Sequence, residues 1–362
     1  MFKSPFGITR VKLADLVIFF SFQRRLKLKL ADLFQTRIML DRTFICICAI
    51  AAFVFIHRLF NVPFDDISLA SDLDSIRSAY DIDAVINAKA LFTPAHVQSY
   101  YAETTDRDYA LLDGLAGSGM HTRLQGMQQT AYVMHEIANT KAKKVLEIGS
   151  GKGHCSLWLA NTIHDVHFTG VDLLQRHVQA ANAAKGELRN VAFVHGDAAN
   201  IDEEHYDLIF GVESLCHLDT QLKMQQFIRR AAVKLSAGGR LIVIDGFRSA
   251  TFHNASADQQ LAMQLAEYGF RIQQMHSKSD WIDACAASGL SLVENLDLTA
   301  QALPFWIFGW RASRVLLRFP RFVRWLASVR PQTAANLLSV ATTAHAMRDS
   351  GAAEYGVLVF TR

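Results

Sequence analysis

Short apolar runs alternate with amphipathic segments from residue 143 to the end of the chain. The apolar runs predict strands at 143–149, 166–172, 191–197, 206–213, 239–247, 291–299 and 354–362. Between them, apolar positions at helical spacing predict helices at roughly 153–162, 175–186 and 219–235. Such alternation is typical of βαβ units, in which helices cover both faces of a parallel sheet. We therefore predict an α/β fold built on a doubly wound, mostly parallel, seven-stranded sheet.

The chain divides into three predicted regions by composition. Residues 1–64 form a basic and apolar N-terminal segment, and residues 65–142 form an acidic, mostly helical lid region. Residues 143–362 form the α/β domain, in which 300–350 is a basic, aromatic, helical insertion before the last strand.

The N-terminal segment has the features of a membrane-associated sequence. Apolar stretches at 16–22 and 44–56 enclose the basic sequence RRLKLKL at 24–30. The thirteen uncharged residues of 44–56 fall short of the about 20 that a spanning helix needs. Three interpretations stay open: a single membrane anchor over 43–60, helices that lie on an anionic membrane surface, and a buried helix of the fold. We favour membrane association.

Charge is segregated along the chain, although the net formal charge is only +3. Residues 1–42 hold 9 basic and 3 acidic side chains, whereas residues 43–297 hold 20 and 29. Residues 298–348 hold seven Arg and no acidic residue. The acidic body would repel a polyanion, so that no nucleic acid partner is expected.

The second basic segment, at 303–330, mixes arginine with aromatic residues. This composition suits the headgroup region of a membrane, where we expect the segment to dock. The alternative is a lid that packs its aromatic rings inward and leaves its arginines in solvent. Because proline interrupts helices, Pro320 predicts two short amphipathic pieces. The arginines at helical spacing are Arg311, Arg314, Arg318, Arg321 and Arg324.

Cysteine usage indicates a reducing compartment. The five cysteines are odd in number and show no CxxC spacing, so that neither a disulfide framework nor a metal site is expected. We predict a membrane-associated protein whose α/β domain lies on the cytoplasmic side.

The most specific motif of the chain is VLEIGSGKGHCS at 145–156. A buried strand ends near Glu147, and Gly149, Gly151 and Gly153 turn the chain into a helix. Glycines permit positive φ and a close approach of a ligand to the helix N-terminus. The G-x-G-x-G spacing is neither the dinucleotide fingerprint nor a phosphate-binding P-loop.

Acidic residues stand at the ends of the next three strands. Asp172 ends the second strand, Asp197 follows the third and Glu213 follows the fourth. The carboxyl ends of parallel strands meet at one edge of the sheet. There Asp172 can accept hydrogen bonds from ribose hydroxyls and Asp197 from an adenine amine. The sequence therefore predicts a site for an adenosine ligand.

This combination resembles the class I S-adenosylmethionine-dependent methyltransferases over about residues 95–300 and the last strand. E-I-G-S-G-K-G is the family's first motif, GVD and GDA match the second and third, and LSAGGRLIVID at 235–245 resembles the fifth. The resemblance implies the Rossmann-like methyltransferase fold and S-adenosyl-L-methionine as cofactor. It places the glycines at the methionine part, Asp172 at the ribose and Asp197 at the adenine, and Glu147 would orient the loop or the ligand's ammonium group. The implied cofactor-binding residues are Glu147, Gly149, Ser150, Gly151, Gly153, Asp172, Leu173, Asp197, Ala198 and Glu213.

The sequence after the fourth strand resembles a narrower group. ESLCH at 213–217 is similar to the E-x-x-x-H stretch of sterol, tocopherol and small-amine methyltransferases, and YYAETTDRDY at 100–109 is similar to their tyrosine-rich lid. We predict Glu213, His217 and Tyr101 as catalytic residues. His217, with a reference pKa near 6.5, would remove a proton from the acceptor. Alternatively, Glu213 and the tyrosine would stabilise a carbocation.

We expect a methyltransferase that acts on a lipophilic small molecule at a membrane surface, such as a sterol, an isoprenoid or a prenylated quinol or chromanol. The alternatives are a tethered small-amine N-methyltransferase, of the glycine, phosphoethanolamine or alkaloid type, and a non-catalytic methyltransferase-like scaffold. A nicotinamide-dependent oxidoreductase is disfavoured by the glycine spacing and the third carboxylate.

Overall fold

A computed structural model describes residues 63–104, 126–197, 205–348 and 351–362 of the chain. The apolar and basic stretches at 16–22, 24–30 and 44–56 lie outside these residues, as does Ala198. Within the described ranges, no helix combines the length and the apolar character that crossing a bilayer requires. The candidate anchor at 43–60 therefore stays a prediction.

All seven predicted strands are present in the described part of the chain. They are β1 (Lys144–Ile148), β2 (His167–Asp172), β3 (Val191–His195), β4 (Tyr206–Val212), β5 (Leu235–Arg248), β6 (Ser291–Asp297) and β7 (Ala353–Thr361). They form one sheet in the order β3–β2–β1–β4–β5–β7–β6. Neighbouring strands are parallel except β7, which runs antiparallel to both β5 and β6. The predicted mostly parallel, seven-stranded sheet is confirmed.

Helices cover both faces of this sheet. The α-helices of the described residues are α1 (Leu69–Ala79), α2 (Ile82–Lys89), α3 (Pro94–Thr104), α4 (Gly126–Thr140), α5 (His154–Thr162), α6 (Gln175–Ala184), α7 (Gln221–Lys234), α8 (Ala257–Gly269), α9 (Lys278–Ala287), α10 (Thr299–Leu317), α11 (Pro320–Val329) and α12 (Pro331–Met347). Side-chain caps fix several helix starts. Thr220 accepts a hydrogen bond from the Lys223 N–H at the start of α7, and Ser277 caps α9 in the same way.

The core has one half on each face of the sheet, because successive strand side chains point to opposite faces. On one face Val145 packs in a cluster with Leu159 of α5 and Val178 of α6. On the other face Leu146 packs in a cluster with Phe227 of α7 and Trp281 of α9. The chain proceeds outward from β1 to β3 on one side and from β4 on the other. In open α/β sheets, ligands bind in a crevice at the carboxyl edge where the strand order reverses, which in this sheet is beside β1.

The basic segment before β7 folds into three helices. The predicted break at Pro320 is present, since α10 ends at Leu317 and α11 begins at Pro320. The two predicted pieces within 303–330 are therefore present, but α10, with 19 residues and Pro304 inside it, is not short. A further helix of 17 residues, α12, follows from Pro331. Most of α12 is buried, and helices are stabilised mainly by such packing rather than by their own propensity.

Asp72 of α1 ties this segment to the N-terminal helices. Its carboxylate accepts hydrogen bonds from Trp310 Nε1 at 2.6 Å and from Arg314 Nε at 3.0 Å, and it lies 2.9 Å from His345 Nε2. All four side chains are buried. The alternative prediction, that the arginines of this segment lie in solvent, is therefore wrong for Arg314, which forms a buried ion pair with Asp72.

Candidate active site

The glycine loop joins β1 to α5 at the carboxyl edge of the sheet. Gly149, Gly151 and Gly153 have φ of 69°, 54° and 82°, which L side chains rarely adopt. A Cβ on Gly149 would lie 2.4 Å from the Cβ of Ser214, and one on Gly153 would lie 2.6 Å from the Phe193 ring. Beside Gly151 nothing lies within 4 Å of such a Cβ. The loop backbone is therefore open to a ligand at Gly151.

Asp172, at the end of β2, contacts this loop directly. Its Oδ2 accepts a hydrogen bond from the Gly151 N–H at 2.8 Å. Its Oδ1 accepts a hydrogen bond from the Leu174 N–H at 2.9 Å and lies 3.2 Å from Nδ1 of His177. The predicted glycine loop and the predicted ribose residue thus lie side by side.

Glu147 lies beneath the loop, in β1. Its Oε2 accepts hydrogen bonds from the N–H of Ser156, at 3.2 Å, and from the Ser156 hydroxyl in the first turn of α5. Burial raises the pKa of Glu147 to about 7, against the opposing effect of the bonds from Ser156 and with added repulsion from Asp172. The carboxylate contacts the start of α5, as the loop-orienting role implied for Glu147 requires.

The end of β3 lies next to Asp172. The Gly196 N–H donates to the Asp172 carbonyl oxygen at 3.0 Å, and Asp197 follows in an exposed position. Leu173 is half-buried, and its carbonyl oxygen lies 3.0 Å from His195 Nε2. These contacts bring Leu173 and Asp197 to the same edge as the glycine loop.

Glu213 follows β4 and closes the other side of the crevice. Its φ of 49° is uncommon for a residue with a side chain. Its N–H donates to the Ile244 carbonyl oxygen at 2.8 Å. Its Oε1 accepts hydrogen bonds from the Tyr355 hydroxyl at 2.8 Å and from Gln129 Nε2 at 3.0 Å. The Glu213 carboxylate is therefore fixed between α4 and β7.

Tyr101 of α3 and His217 of the turn after β4 are in contact. The Tyr101 hydroxyl lies 2.7 Å from Nε2 of His217, and the ring centroids are 5.3 Å apart. Burial lowers the pKa of His217 to about 4, so that the imidazole is neutral at neutral pH and Nε2 can accept the phenolic proton. This pKa lies below the reference value near 6.5 because desolvation disfavours the charged ring.

Several residues at this edge were not identified from the sequence. Asp245 of β5 accepts a hydrogen bond from the Cys216 N–H at 2.9 Å, and burial raises the pKa of Asp245 to about 7. Its place in a predicted strand, like that of Asp172, was an available signal. No signal in the sequence pointed to Gln129 or Tyr355, because only the folded topology brings α4 and β7 to Glu213. His177 gave no signal either, because a single histidine in a predicted helix is not distinctive.

Comparison with known proteins gives the class of this site. Residues 139–288 match the family model of a methyltransferase domain. The O-methyltransferase rstn1 of Aspergillus nomiae is 24% identical over 176 residues, which cover 47% of this chain and 73% of that protein.

Solved structures show the same fold. A protein described as a sarcosine dimethylglycine methyltransferase, from Galdieria sulphuraria, superposes with a TM-score of 0.52 at 15% identity, over 66% of this chain and 87% of that one. Geranyl diphosphate C-methyltransferase from Streptomyces coelicolor, in complex with S-adenosyl-L-homocysteine, superposes with a TM-score of 0.50 at 18% identity, over 65% and 77%.

The chain thus carries a methyltransferase domain over residues 139–288, and S-adenosyl-L-methionine is the cofactor that its sequence motifs imply. The comparisons support this class, whereas the narrower sterol and tocopherol group and the predicted domain boundaries stay predictions.

The residues at the edge fit this cofactor. Among the described residues, three buried polar atoms around the crevice have no hydrogen-bond partner: Ser150 Oγ, His177 Nε2 and His217 Nδ1. Buried polar atoms are nearly always paired in folded proteins. A ligand with hydroxyl, amine and carboxylate groups would supply partners here, in front of the open face of Gly151.

Proposed function

We propose that this methyltransferase transfers a methyl group to a lipophilic small molecule at a membrane surface, with its domain on the cytoplasmic side. The proposed acceptor is a sterol, an isoprenoid, or a prenylated quinol or chromanol. The observation that carries the proposal is the exposed apolar face of α11.

The apolar face of α11 is formed by residues at helical spacing. Phe322, Trp325 and Val329 are 44%, 56% and 53% exposed, and at i, i+3 and i+7 they share one side of the helix. The rings of Phe322 and Trp325 are in contact, with centroids 5.5 Å apart. Within α11 only Val323 is buried. Exposed apolar surface of this kind marks a contact with a partner or a membrane.

Arginines surround this face. Arg318, Arg321, Arg324 and Arg330 are exposed, and residues 298–348 contain no acidic side chain. Tryptophan and phenylalanine bordered by arginine are typical of a helix that lies in an anionic bilayer surface. We therefore take anionic lipid as the partner of this face.

Helix α10 links α11 to the crevice. The hydroxyl of Thr299, the first residue of α10, accepts a hydrogen bond from the Tyr355 N–H at 3.0 Å. The Tyr355 hydroxyl in turn donates to Glu213. Further along α10, Leu303 and Trp306 pack against the same core cluster as Cys216. An acceptor that approaches along α10 would meet apolar side chains before it reaches Glu213.

The chain's own residues supply orientation and charge for the transfer. The cofactor, when bound, provides a methyl group already activated on a sulfonium, so that positioning accounts for much of the acceleration. For an acceptor hydroxyl, His217 Nε2 takes the proton through the Tyr101 hydroxyl. For an alkene, the fixed Glu213 carboxylate stabilises the developing cation.

The carboxylates Glu213 and Asp245 favour a second candidate, a tethered small-amine N-methyltransferase. The two lie close enough for the charge of Glu213 to help raise the pKa of Asp245. Such a pair would attract a cationic amine. The relative from Galdieria sulphuraria is named for amine acceptors.

Vesicle binding tests the membrane part of the proposal. The full chain is floated with phosphatidylcholine vesicles, with or without phosphatidylserine. We expect wild-type binding that increases with phosphatidylserine, and a clear loss for the double variant Phe322→Ser, Trp325→Ser. The matched control is Leu222→Ser, which removes an apolar side chain that is 64% exposed on α7. If the double variant and the control bind equally, α11 is not a membrane contact.

Deletion tests the N-terminal segment separately. Removing residues 1–60 should shift the protein from the membrane fraction to the soluble fraction and lower activity on membrane-embedded acceptor. Unchanged partitioning would contradict the anchoring role of this segment.

A further inference from the structure

The segment that carries His217 is a single turn of 3₁₀-helix, Leu215–His217, here called the catalytic turn. Helices of this kind are held only weakly by their own hydrogen bonds. The bond from the His217 N–H to the Ser214 carbonyl oxygen is 3.3 Å long. The catalytic turn therefore depends on contacts with other segments to keep His217 against Tyr101.

The usual side-chain cap is missing at the start of the catalytic turn. Ser214 stands at the N-cap position, where a serine hydroxyl typically accepts an N–H of the first turn. Its side chain makes no such bond, and its hydroxyl instead donates to the Ile148 carbonyl oxygen at 2.6 Å. The N–H of Cys216, inside the first turn, therefore needs an acceptor from another part of the fold.

Asp245 of β5 supplies that acceptor. Its Oδ2 accepts a hydrogen bond from the Cys216 N–H at 2.9 Å, and its Oδ1 accepts one from the Gly246 N–H at 2.9 Å. The residue is 3% exposed and follows the apolar stretch 241–244, which is fully buried. A carboxylate in such a position is costly unless it is hydrogen-bonded. Both oxygens of Asp245 thus serve backbone donors, one of which belongs to the catalytic turn.

Further bonds hold the segment on either side of the catalytic turn. The Glu213 N–H donates to the carbonyl oxygen of Ile244, the residue before the capping aspartate, at 2.8 Å. After the turn, the Leu218 carbonyl oxygen lies 2.9 Å from Nε2 of His276. His217 lies between these two attachments, so that its ring position follows from the position of the turn.

We propose that Asp245 is an N-cap supplied by another strand, which positions the catalytic turn so that Nε2 of His217 accepts the Tyr101 hydroxyl. Asp245 is thus a positioning residue for the proton path, and it acts through the Cys216 N–H. The inference rests on the proposed role of Tyr101 and His217 in methyl transfer, and it holds for any acceptor that loses a proton.

The buried ring of His217 gives this proposal a readout that needs no acceptor. Burial has the largest effect on the pKa of His217 and lowers it to about 4, while Asp219 raises this pKa and Lys223 lowers it. The Tyr101 hydroxyl also faces the ring. If the catalytic turn loosens, water reaches the imidazole and its pKa rises toward the reference value near 6.5. A role of Asp245 in the sheet alone would change stability and leave this pKa as it is.

Titration of His217 by NMR tests the proposal. The full chain, with histidine labelled by ¹⁵N in the ring, is compared as wild type, Asp245→Val and Asp245→Asn, and the His217 signal is assigned by its loss in His217→Gln. Valine is similar in volume but offers no acceptor, whereas asparagine keeps one oxygen for the Cys216 N–H. We expect a pKa near 4 in the wild type, a value within about 0.5 of it in Asp245→Asn, and a rise of at least about one unit in Asp245→Val.

The matched control is Asp207→Val. Oδ2 of Asp207 also accepts backbone N–H groups, from Lys143 and Lys144, but at the opposite edge of the sheet. This variant should be less stable and should keep the His217 pKa near 4. Asp245→Ala replaces the valine variant if that does not fold. An unchanged His217 pKa in Asp245→Val, an equal rise in Asp245→Asn, or a wild-type value near 6.5 would overturn the proposal.

Methyl transfer separates this inference from the proposed function. With vesicles of a total lipid extract, Asp245→Val should transfer label about tenfold more slowly than the wild type. Its affinity for S-adenosyl-L-homocysteine should stay within about twofold. A wild type that labels no lipid would contradict the proposed acceptor, whereas the titration of His217 would still decide the role of Asp245.

Discussion

Two buried aspartates, Asp72 and Asp172, each contact a histidine but stand in different surroundings. The partners of Asp72 are side chains from α10 and α12, namely Trp310, Arg314 and His345. Burial alone would raise the pKa of Asp72, but the hydrogen bonds from His345 and Trp310 and the charge of Arg314 hold it below its ordinary value. This carboxylate joins three helices.

Asp172 is held mainly by the backbone. Two of its three contacts are N–H groups, from Gly151 and Leu174. Its histidine partner, His177, has a buried nitrogen, Nε2, without a hydrogen-bond partner. Near Asp72 the buried nitrogen without a hydrogen-bond partner is Nη1 of Arg314. The guanidinium carbon of Arg314 lies 5.0 Å from the Trp310 ring centroid, so that this group contacts an aromatic ring.

Burial and a histidine partner therefore do not distinguish a structural carboxylate from a ligand site. The distinction lies in which buried polar atoms around the carboxylate have no hydrogen-bond partner. Around Asp72 the donors come from side chains that the carboxylate joins, whereas near Asp172 buried polar atoms of Ser150 and His177 have no hydrogen-bond partner.

The largest effect is expected on stability, for Asp72→Ala. The variant leaves the Arg314 charge buried without its partner, which costs about 3–5 kcal/mol. Urea unfolding measures this loss, and cofactor affinity of the remaining folded protein should not change. Asp74→Ala is the control, since Asp74 pairs with Arg77 at the surface and such pairs contribute about 0–1 kcal/mol. A loss for Asp72→Ala as small as the control's would contradict its structural role.

The next effect is expected on cofactor binding, for Asp172→Asn. Calorimetry should show S-adenosyl-L-methionine binding weakened about 100-fold, or about 2.7 kcal/mol, because the amide replaces an acceptor of charge-assisted bonds. The stability loss should be smaller than for Asp72→Ala. Asp165→Asn, at a surface pair with Lys143, should bind as wild type. Retained affinity in Asp172→Asn would mean that the ribose lies elsewhere.

A pH effect is expected from Glu147. Its pKa in the folded protein is about 7, raised by burial above the ordinary 4.5, so the stability it contributes is present at low pH. That stability is lost as the pH rises through about 7, when the buried carboxyl must ionise. Comparing unfolding at pH 5 and pH 8, Glu147→Gln should remove about 1–3 kcal/mol of the decrease. Part of the decrease should remain, because the pKa of Asp245 is also about 7. An unchanged pH dependence would contradict the burial effect at Glu147.

The smallest effect is expected for Tyr101→Phe. Losing the hydroxyl that contacts His217 should lower kcat about tenfold and leave S-adenosyl-L-homocysteine affinity within about twofold. Since the pKa of His217 is about 4, the acid limb of the rate profile should fall near that pH. Tyr132→Phe, on α4, is the control. A kcat equal to the control's would remove Tyr101 from the proton path.

The local sequence pattern was sufficient to predict the sheet and much of the cofactor site at its carboxyl edge. Apolar runs predicted every strand of the described sheet, and the G-x-G-x-G spacing placed the loop that Asp172 contacts. Both depend on residues close in sequence. Parallel strand ends then had to meet at one edge, which brought Asp172, Asp197 and Glu213 together.

Contacts between segments that are far apart in the chain could not be predicted from the sequence. Glu213 meets Gln129 and Tyr355 only because α4 and β7 lie beside β4 in the fold. The lowered pKa of His217 depends on burial, which a motif does not encode. Arg314 looked like its neighbours in the basic segment, and only the position of Asp72 separates this buried arginine from the exposed Arg321.

Transfer of labelled methyl to lipid tests the central claim most directly. The full chain is incubated with S-adenosyl-L-methionine labelled in its methyl group and with vesicles made from a total lipid extract. Parallel reactions contain water-soluble amines in place of the lipid. We expect label in an organic-soluble product, less of it with the Phe322→Ser, Trp325→Ser variant, and none with Asp172→Asn. Label that appears only in the amines would contradict the lipophilic acceptor and favour the small-amine alternative.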